Sequence, residues 1–360
     1  MKNRRIAPLL ALLLSAALAG CSAGTENAPQ SSLSAREPES VVSSEPVSSE
    51  PEVSPVCNPL TGEPGYSEEL LLRRPVAVMV NNVKASMPQR GISKAELVFE
   101  LPVEGAITRL MAVYSDCSAV PEVGSVRSAR HDFVELAASL DAVYVHFGWS
   151  PSGKEAIGKY GIDNLNGLTL SKTVFHFDEA RHQSKATEHC WFTSGQLIQA
   201  GVDRQGYSLA RETPMEPVFH FAGPDAARTG TFDAAKVTAP LSSAVTAGFA
   251  YEPETGLYRK SQYGGPHLDE TTGKAVAVKN VFLLYTDVGL MADGVHKEVN
   301  LSKGKGWYLS GGKGEEITFE KPGVTDKLKF YNAQGEELTV TPGSSWICIA
   351  PSGFQAKAAF

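Results

Sequence analysis

Between residues 81 and 193 the chain concentrates the side chains that could do chemistry. Glu104-Gly105-Ala106-Ile107-Thr108-Arg109 sets an acid before a glycine turn and then an arginine inside the apolar run ITRLMAVY. An arginine in such a run must snorkel, pair or face a cleft. Gly124-Ser125-Val126-Arg127-Ser128-Ala129-Arg130 crowds two arginines and two serines at the expected start of a helix. Free backbone N–H groups and the positive end of the helix dipole attract anions there, and guanidinium forks recognise phosphate or carboxylate. Cations normally avoid that end of a helix. Two of them imply either a bound anion or ion pairs with Glu122, Asp132 or Glu135, and the anion is the favoured reading.

Two further groups follow. His146 ends the apolar run AVYVHF and precedes Gly148-Trp149-Ser150-Pro151. A polar residue before a glycine turn and a new helix suits a site at the carboxyl end of a strand, whereas a hydrogen-bonded core histidine is the plainer alternative. Residues 181–193 (RHQSKATEHCWFT) carry Arg181, His182, Lys185, Glu188 and His189. Glu–His pairs can move protons or hold metal, but neighbours in sequence share a face only in a loop, and no HExxH spacing is present. Glu104, His146, Glu188 and His189 are thus the candidates for orienting a ligand or exchanging protons. Asn81, Arg109, Arg127, Ser128, Arg130, Ser150 and Arg181 are the candidates for holding it. There is no GxSxG, P-loop, GxGxxG or thiol-protease signature, so standard hydrolase and nucleotide-binding readings lack support and no metal or cofactor is expected.

These residues must be positioned by the elements around them. PVAVMV (75–80), ELVFEL (96–101), ITRLMAVY (107–114) and AVYVHF (142–147) read as buried strands. A helix is expected from Ser128 as N-cap, with Phe133, Leu136, Ala137 and Leu140 at helical spacing. Another is expected from Pro151 to about Tyr160, a further strand at 174–178, and a short helix from Ser194 to Ala200 ended by Gly201. Strands alternating with helices imply an α/β or α+β domain with a mixed sheet over residues 57–220. From about residue 230, short β-prone runs such as LYRKSQ, VFLLYTDV, GWYLSG, EEITFE and SWICIA alternate with turn signals, which implies a β-rich domain over 221–360.

The N-terminus carries an address. Lys2, Arg4 and Arg5 precede an apolar stretch from Ile6 to Leu18, then Leu18-Ala19-Gly20-Cys21. That order reads as a lipoprotein signal peptide over 1–20, with cleavage before Cys21 and lipid on its thiol. The formal net charge of −7 becomes −10 once those three basic residues leave. Residues 22–56 hold six Glu, one Arg and almost no aromatic content, which reads as a disordered tether. The acidic balance argues against nucleic-acid binding. Four cysteines remain, Cys57, Cys117, Cys190 and Cys348; none forms a CxxC, and free thiols and disulfides stay open.

Several strings occur together in register: RPVAVMVNN, ISKAELVFELPVEGAITRLMAVY, VGSVRSAR, DAVYVHFGWSP, YEPETGLYRKSQYGGPHLDETTGK, GKGWYLSGGK and FYNAQGEELTVTPGSSWI. They resemble the YerB-type bacterial lipoproteins over residues 57–352. The resemblance implies an extracytoplasmic, lipid-anchored protein with an α/β-type first domain and a β-rich second one. Cys190 stands where that family would carry an Asn beside the histidine. The order VAVMVNN, ITRLMAVY, SVRSAR, VYVHFGWSP is also similar to the LytR-CpsA-Psr family, which transfers anionic glycopolymers from a polyprenyl carrier to the wall. That similarity implies Arg109, Arg127 and Arg130 around a pyrophosphate, with a metal-ligating acid at Asn81 or Asn82, neither of which is an acid; Mg²⁺ enters only under it. The expected function is therefore binding of an anionic envelope ligand or peptidoglycan fragment. The alternatives are a transferase or hydrolase on lipid-linked wall polymers, and a scaffold for an envelope complex.

Overall fold

A computed structural model describes residues 55–223, 226 and 230–359. The signal peptide, Cys21 and nearly all of the Ser/Glu/Pro tether lie outside these residues. In the first half the elements follow the order α1 (Glu68–Leu71), β1 (Val76–Asn81), β2 (Leu97–Pro102), β3 (Thr108–Tyr114), β4 (Val123–Gly124), α2 (His131–Ser139) and β5 (Val143–His146). Then come α3 (Pro151–Tyr160), β6 (Asn164–Asn166), α4 (Gly167–Val174), β7 (His176–Phe177), α5 (Glu179–His182), β8 (Trp191–Thr193) and α6 (Gly195–Gln205). The second half is strand-rich, as its turn-punctuated runs implied.

Strands β1, β2 and β3 are buried at every residue, which is why they read as unbroken apolar runs: both faces of the sheet are covered. β5 lies parallel to β1 and β6 parallel to β5, while β3 runs antiparallel between β1 and β2. On its other side β2 pairs in parallel with Ser345–Pro351, which pairs in parallel with Asn280–Thr286. The sheet continues through Lys303–Ser310 and Lys313–Glu320 to Phe232–Asp233, and Lys329–Asn332 also pairs with Lys313–Glu320, giving eleven strands drawn from both halves of the chain. Period-two alternation sorts the side chains. Ala77, Met79, Met111 and Tyr144 pack with Phe133, Leu136 and Ala137 of α2 and Ile157 of α3. Val76, Val78, Val80 and Leu110 share the opposite core with Ile198 and Val202 of α6 and with Val237, Phe249 and Tyr258 of a second, six-stranded sheet.

Three local expectations change. The helix after Arg130 begins at His131, with Arg130 at the N-cap position in extended conformation. Ser128 lies before it, because residues 125–129 hydrogen-bond to the ends of β1 and β5. Residues 167–174 form α4, so the expected strand shrinks to β7. α6 runs past Gly201 to Gln205 and ends at Gly206 in the left-handed region, at φ +69°. Gly201 is a packing residue: a Cβ there would come within 2.4 Å of the Val174 side chain.

The two halves are fastened by a buried polar network. Glu100 and Lys260 are both fully buried, with Lys260 Nζ 3.4 Å from Glu100 Oε2. Glu100 accepts from Asn82 Nδ2 at 2.8 Å, Thr108 Oγ1 at 2.9 Å and Trp346 Nε1 at 3.0 Å. Lys260 donates to Gln262 Oε1 at 2.6 Å and His267 Nδ1 at 3.1 Å, and its ammonium lies 4.8 Å from the Trp346 ring centre. His267 Nε2 donates to Gln89 Oε1 at 2.8 Å. Burial and the Lys260 charge push His267 far below its ordinary range, so it stays neutral. Removing one partner of such a pair leaves a buried, uncompensated charge at a cost of about 3–5 kcal/mol. Lys260→Met should therefore lower the unfolding free energy by that order in urea titration, and Glu100→Gln added to it should recover part of the loss.

Candidate functional site

Residues 125–129 run as an extended wedge between the carboxyl ends of β1 and β5. Asn81 N donates to Ser125 O at 2.9 Å and Arg127 N to Met79 O at 3.0 Å on one side. Phe147 N donates to Arg127 O at 2.9 Å and Ala129 N to Gly148 O at 2.9 Å on the other. The chain leaves β1 towards β2 and leaves β5 towards β6, in opposite directions along the sheet. The wedge thus occupies a point where connections diverge, the place where α/β sheets collect ligands.

Arg109 reaches this end from β3, in register with Asn81 and Leu101. It is 1 % exposed. Its Nη2 donates to Glu104 Oε1 at 2.9 Å and its Nη1 to Ser128 O at 2.9 Å. Arg130 grips the same carboxylate: Nε to Oε2 at 2.9 Å, Nη2 to Oε1 at 2.8 Å, with Nη1 on Ala129 O at 2.8 Å. The acid that pairs with Arg109 and Arg130 is therefore Glu104, brought across by the turn after β2. Burial opposes ionisation of Glu104, but the charges of Arg109 and Arg130 outweigh it and hold its carboxyl at about 2. Burial and the neighbouring Arg130 charge bring Arg109 down to about 9, against the pull of Glu104.

Arg127 has no such partner. It is half-buried, its Nε is shut from solvent with no hydrogen bond, and no ion pair among the described residues engages it. Burial lowers its affinity for a proton, Glu188 and Glu104 oppose this, and Arg130 adds to it. Beside it His189 Nδ1 accepts from Asn81 Nδ2 at 2.9 Å, which puts the proton of the neutral ring on Nε2. Burial lowers the His189 pKa, with Arg127, Lys185 and Arg181 acting the same way and Glu188 against.

The remaining candidates are occupied elsewhere. Ser128 Oγ donates to Phe147 O at 3.0 Å, and Ser150 Oγ caps α3 by accepting from Gly153 N at 3.0 Å. His146 is fully buried, with Nδ1 2.7 Å from Gly148 O and Nε2 3.1 Å from Asn164 Oδ1. Arg181 is a fastener, donating to Glu270 at 2.8 Å and to the carbonyls of Ser86, Pro88 and His189. Glu188 is exposed. Asn82, next to Asn81, serves the Glu100 network on the other face of the sheet. The four cysteines in the described residues are free thiols, and burial raises Cys117 to about 11 and Cys190 upward as well. No three of His, Cys, Asp and Glu among the described residues converge to hold a metal ion.

Sequence reading passed over Glu100, Lys260, His267 and Gln89. The signals were present: an acid inside ELVFEL, and a lysine at an inward position of LYRKSQ, where burial alternates residue by residue. Neither becomes legible until Leu257–Gln262 is known to pack against β2.

One sheet shared by an α/β half and a strand-rich half makes this a two-part protein. The chain belongs to the family described as "Protein of unknown function (DUF3048)": the N-terminal domain matches residues 60–208 and the C-terminal domain residues 237–347. A relative from Bacillus subtilis (strain 168) bears the name "Putative lipoprotein YerB"; it is 32 % identical over an alignment of 299 residues that covers 81 % of this chain and 86 % of the relative. The crystal structure of the YerB protein from Bacillus subtilis superposes with a TM-score of 0.74 at 29 % identity, covering 85 % of this chain and all of that one.

Two outcomes follow from the electrostatics. Glu104 ionises at about 2 in the folded chain against an ordinary 4.5, so its stabilising contribution is complete above pH 4.5 and is lost as pH falls towards 2. Urea midpoints measured from pH 5 to 2 should fall more steeply for the wild type than for Glu104→Gln. Arg127, unpaired beside Arg109 and Arg130, should cost the fold stability, so Arg127→Met should raise the unfolding free energy by about 1 kcal/mol.

Proposed function

We propose that this chain is a lipid-anchored extracytoplasmic protein that binds an anionic cell-envelope ligand at the Arg127 wedge. The anchor is supported by the order of basic, apolar and small residues before Cys21 and by the lipoprotein name of the Bacillus relative. The acidic segment between Cys21 and residue 55 would act as the spacer. The binding reading is carried by one observation: an arginine with a buried, unsatisfied Nε stands where two other arginines already share a single carboxylate. A fold retains such an uncompensated charge only at a cost, and a bound anion removes it.

The pairing of Arg109 and Arg130 to Glu104 supports a second reading, in which the cluster is a structural ion network and the protein a scaffold. Arg127 separates the two. Calorimetric titration of inorganic phosphate should give saturable binding to the wild type that weakens at least tenfold in Arg127→Ala, with the melting temperature no lower. Equal heats for both proteins would leave only the scaffold. The anchor has its own readout: cells expressing the full chain should incorporate labelled palmitate into it, and Cys21→Ala should abolish the label.

A further inference from the structure

We propose that the ligand at the Arg127 wedge presents a doubly ionised phosphomonoester, gripped by the Arg127 guanidinium together with Nε2–H of His189; this rests on the anion-binding reading above. The charged or titratable groups whose electrostatic influence links them to Arg127 are Arg109 from β3, Glu104 from the turn after β2, Arg130 from its own segment, and Glu188 and His189 from the turn before β8. Lys185 and Arg181 add positive potential around His189. Of the two acids, Glu104 is committed to Arg109 and Arg130, and Glu188 is exposed, where water and salt screen it. Three guanidinium groups against one sheltered carboxylate leave two positive charges. A carboxylate or phosphodiester would neutralise one of them, and a phosphomonoester dianion neutralises both. A sulfate ester carries a single charge, so among organic tetrahedral groups the monoester is the one that closes the balance.

Donor geometry agrees. The forks of Arg109 and Arg130 are filled by Glu104 and by the carbonyls of Ser128 and Ala129, so these two act through their field. The Nε of Arg127 is shut from solvent, so a phosphoryl group would meet the guanidinium through Nη1 and Nη2, whose fork matches two oxygens. Asn81 holds the His189 ring with its remaining N–H as a further donor.

The test uses the processed, lipidated chain in detergent and four soluble probes: methyl phosphate, sulfate, dimethyl phosphate and acetate. At pH 8 methyl phosphate and sulfate should bind at least tenfold tighter than dimethyl phosphate and acetate. Lowering the pH from 8 to 5 should weaken methyl phosphate about tenfold, because its second proton returns near pH 6. Sulfate stays a dianion over that range and reports any titration of His189 or the arginines. Arg127→Lys keeps the charge but loses the fork, and should lower methyl phosphate affinity at least fivefold; His189→Phe should weaken it without changing the sulfate-to-acetate order. If dimethyl phosphate and acetate bind as tightly as methyl phosphate, the dianion is overturned while anion binding stands. If none of the four binds, both fall. Vesicles of phosphatidylcholine with and without phosphatidic acid distinguish the source: selective co-sedimentation with phosphatidic acid assigns the monoester to a lipid headgroup, and its absence alongside methyl phosphate binding assigns it to a soluble or polymer-borne group.

Discussion

Lys260 and Glu100 meet where water does not reach, and much else in the molecule is arranged to make that tolerable. The carboxylate is saturated by Asn82, Thr108 and Trp346, and the ammonium by Gln262 and His267. The residues come from both halves of the chain, so neither half satisfies its own charge. The same stretch continues outward. Asp269 accepts from the backbone of Gly91 and Ser93, and Glu270 takes Arg90 and Arg181. Residues 260–270 therefore act as a clasp that holds the loops after β1 in place. Buried pairs give weak net stability but penalise any arrangement that separates the partners, and here the penalised arrangement is one in which the halves part.

The clasp and the arginine wedge are neighbours through two consecutive residues. Asn81 serves His189 on one face of the sheet, and Asn82 serves Glu100 on the other. Gln89 ties both, donating to Asn81 O at 2.9 Å and Asn82 Oδ1 at 3.1 Å. The position of His189 relative to Arg127 is thus set by a hydrogen-bond network that reaches into the second half. Glu100 and Lys260 are paired with each other, while Arg127 has no ion pair among the described residues.

Much of this was legible in the residues. The unbroken apolar runs marked strands covered on both faces, Ser150-Pro151 marked the start of α3, and the crowding of arginines between 109 and 130 marked the region of the candidate site. What sequence could not supply was partnership. Glu104 lies nearer in sequence to Arg109 than to Arg130, yet it binds both because the wedge folds back over the turn. Ser128 reads as a helix cap, but residues 125–129 satisfy their backbone groups on β1 and β5 before the helix begins. Gly201 reads as a stop, yet it is buried against Val174. LYRKSQ reads only as a short β-prone run, and Lys260 does not stand out in it because its partner is 160 positions away.

The parallel pairing of β2 with Ser345–Pro351 has an evolutionary consequence. A gene fragment ending after the first family segment would encode a sheet whose β2 margin, largely apolar, has no neighbour to cover it, which is a template for self-association. Its counterpart, expressed apart, would lack the same seam. The two segments recognised in relatives are therefore not interchangeable modules that recombination can shuffle. They share one sheet, so a substitution on either side of the seam is felt across it.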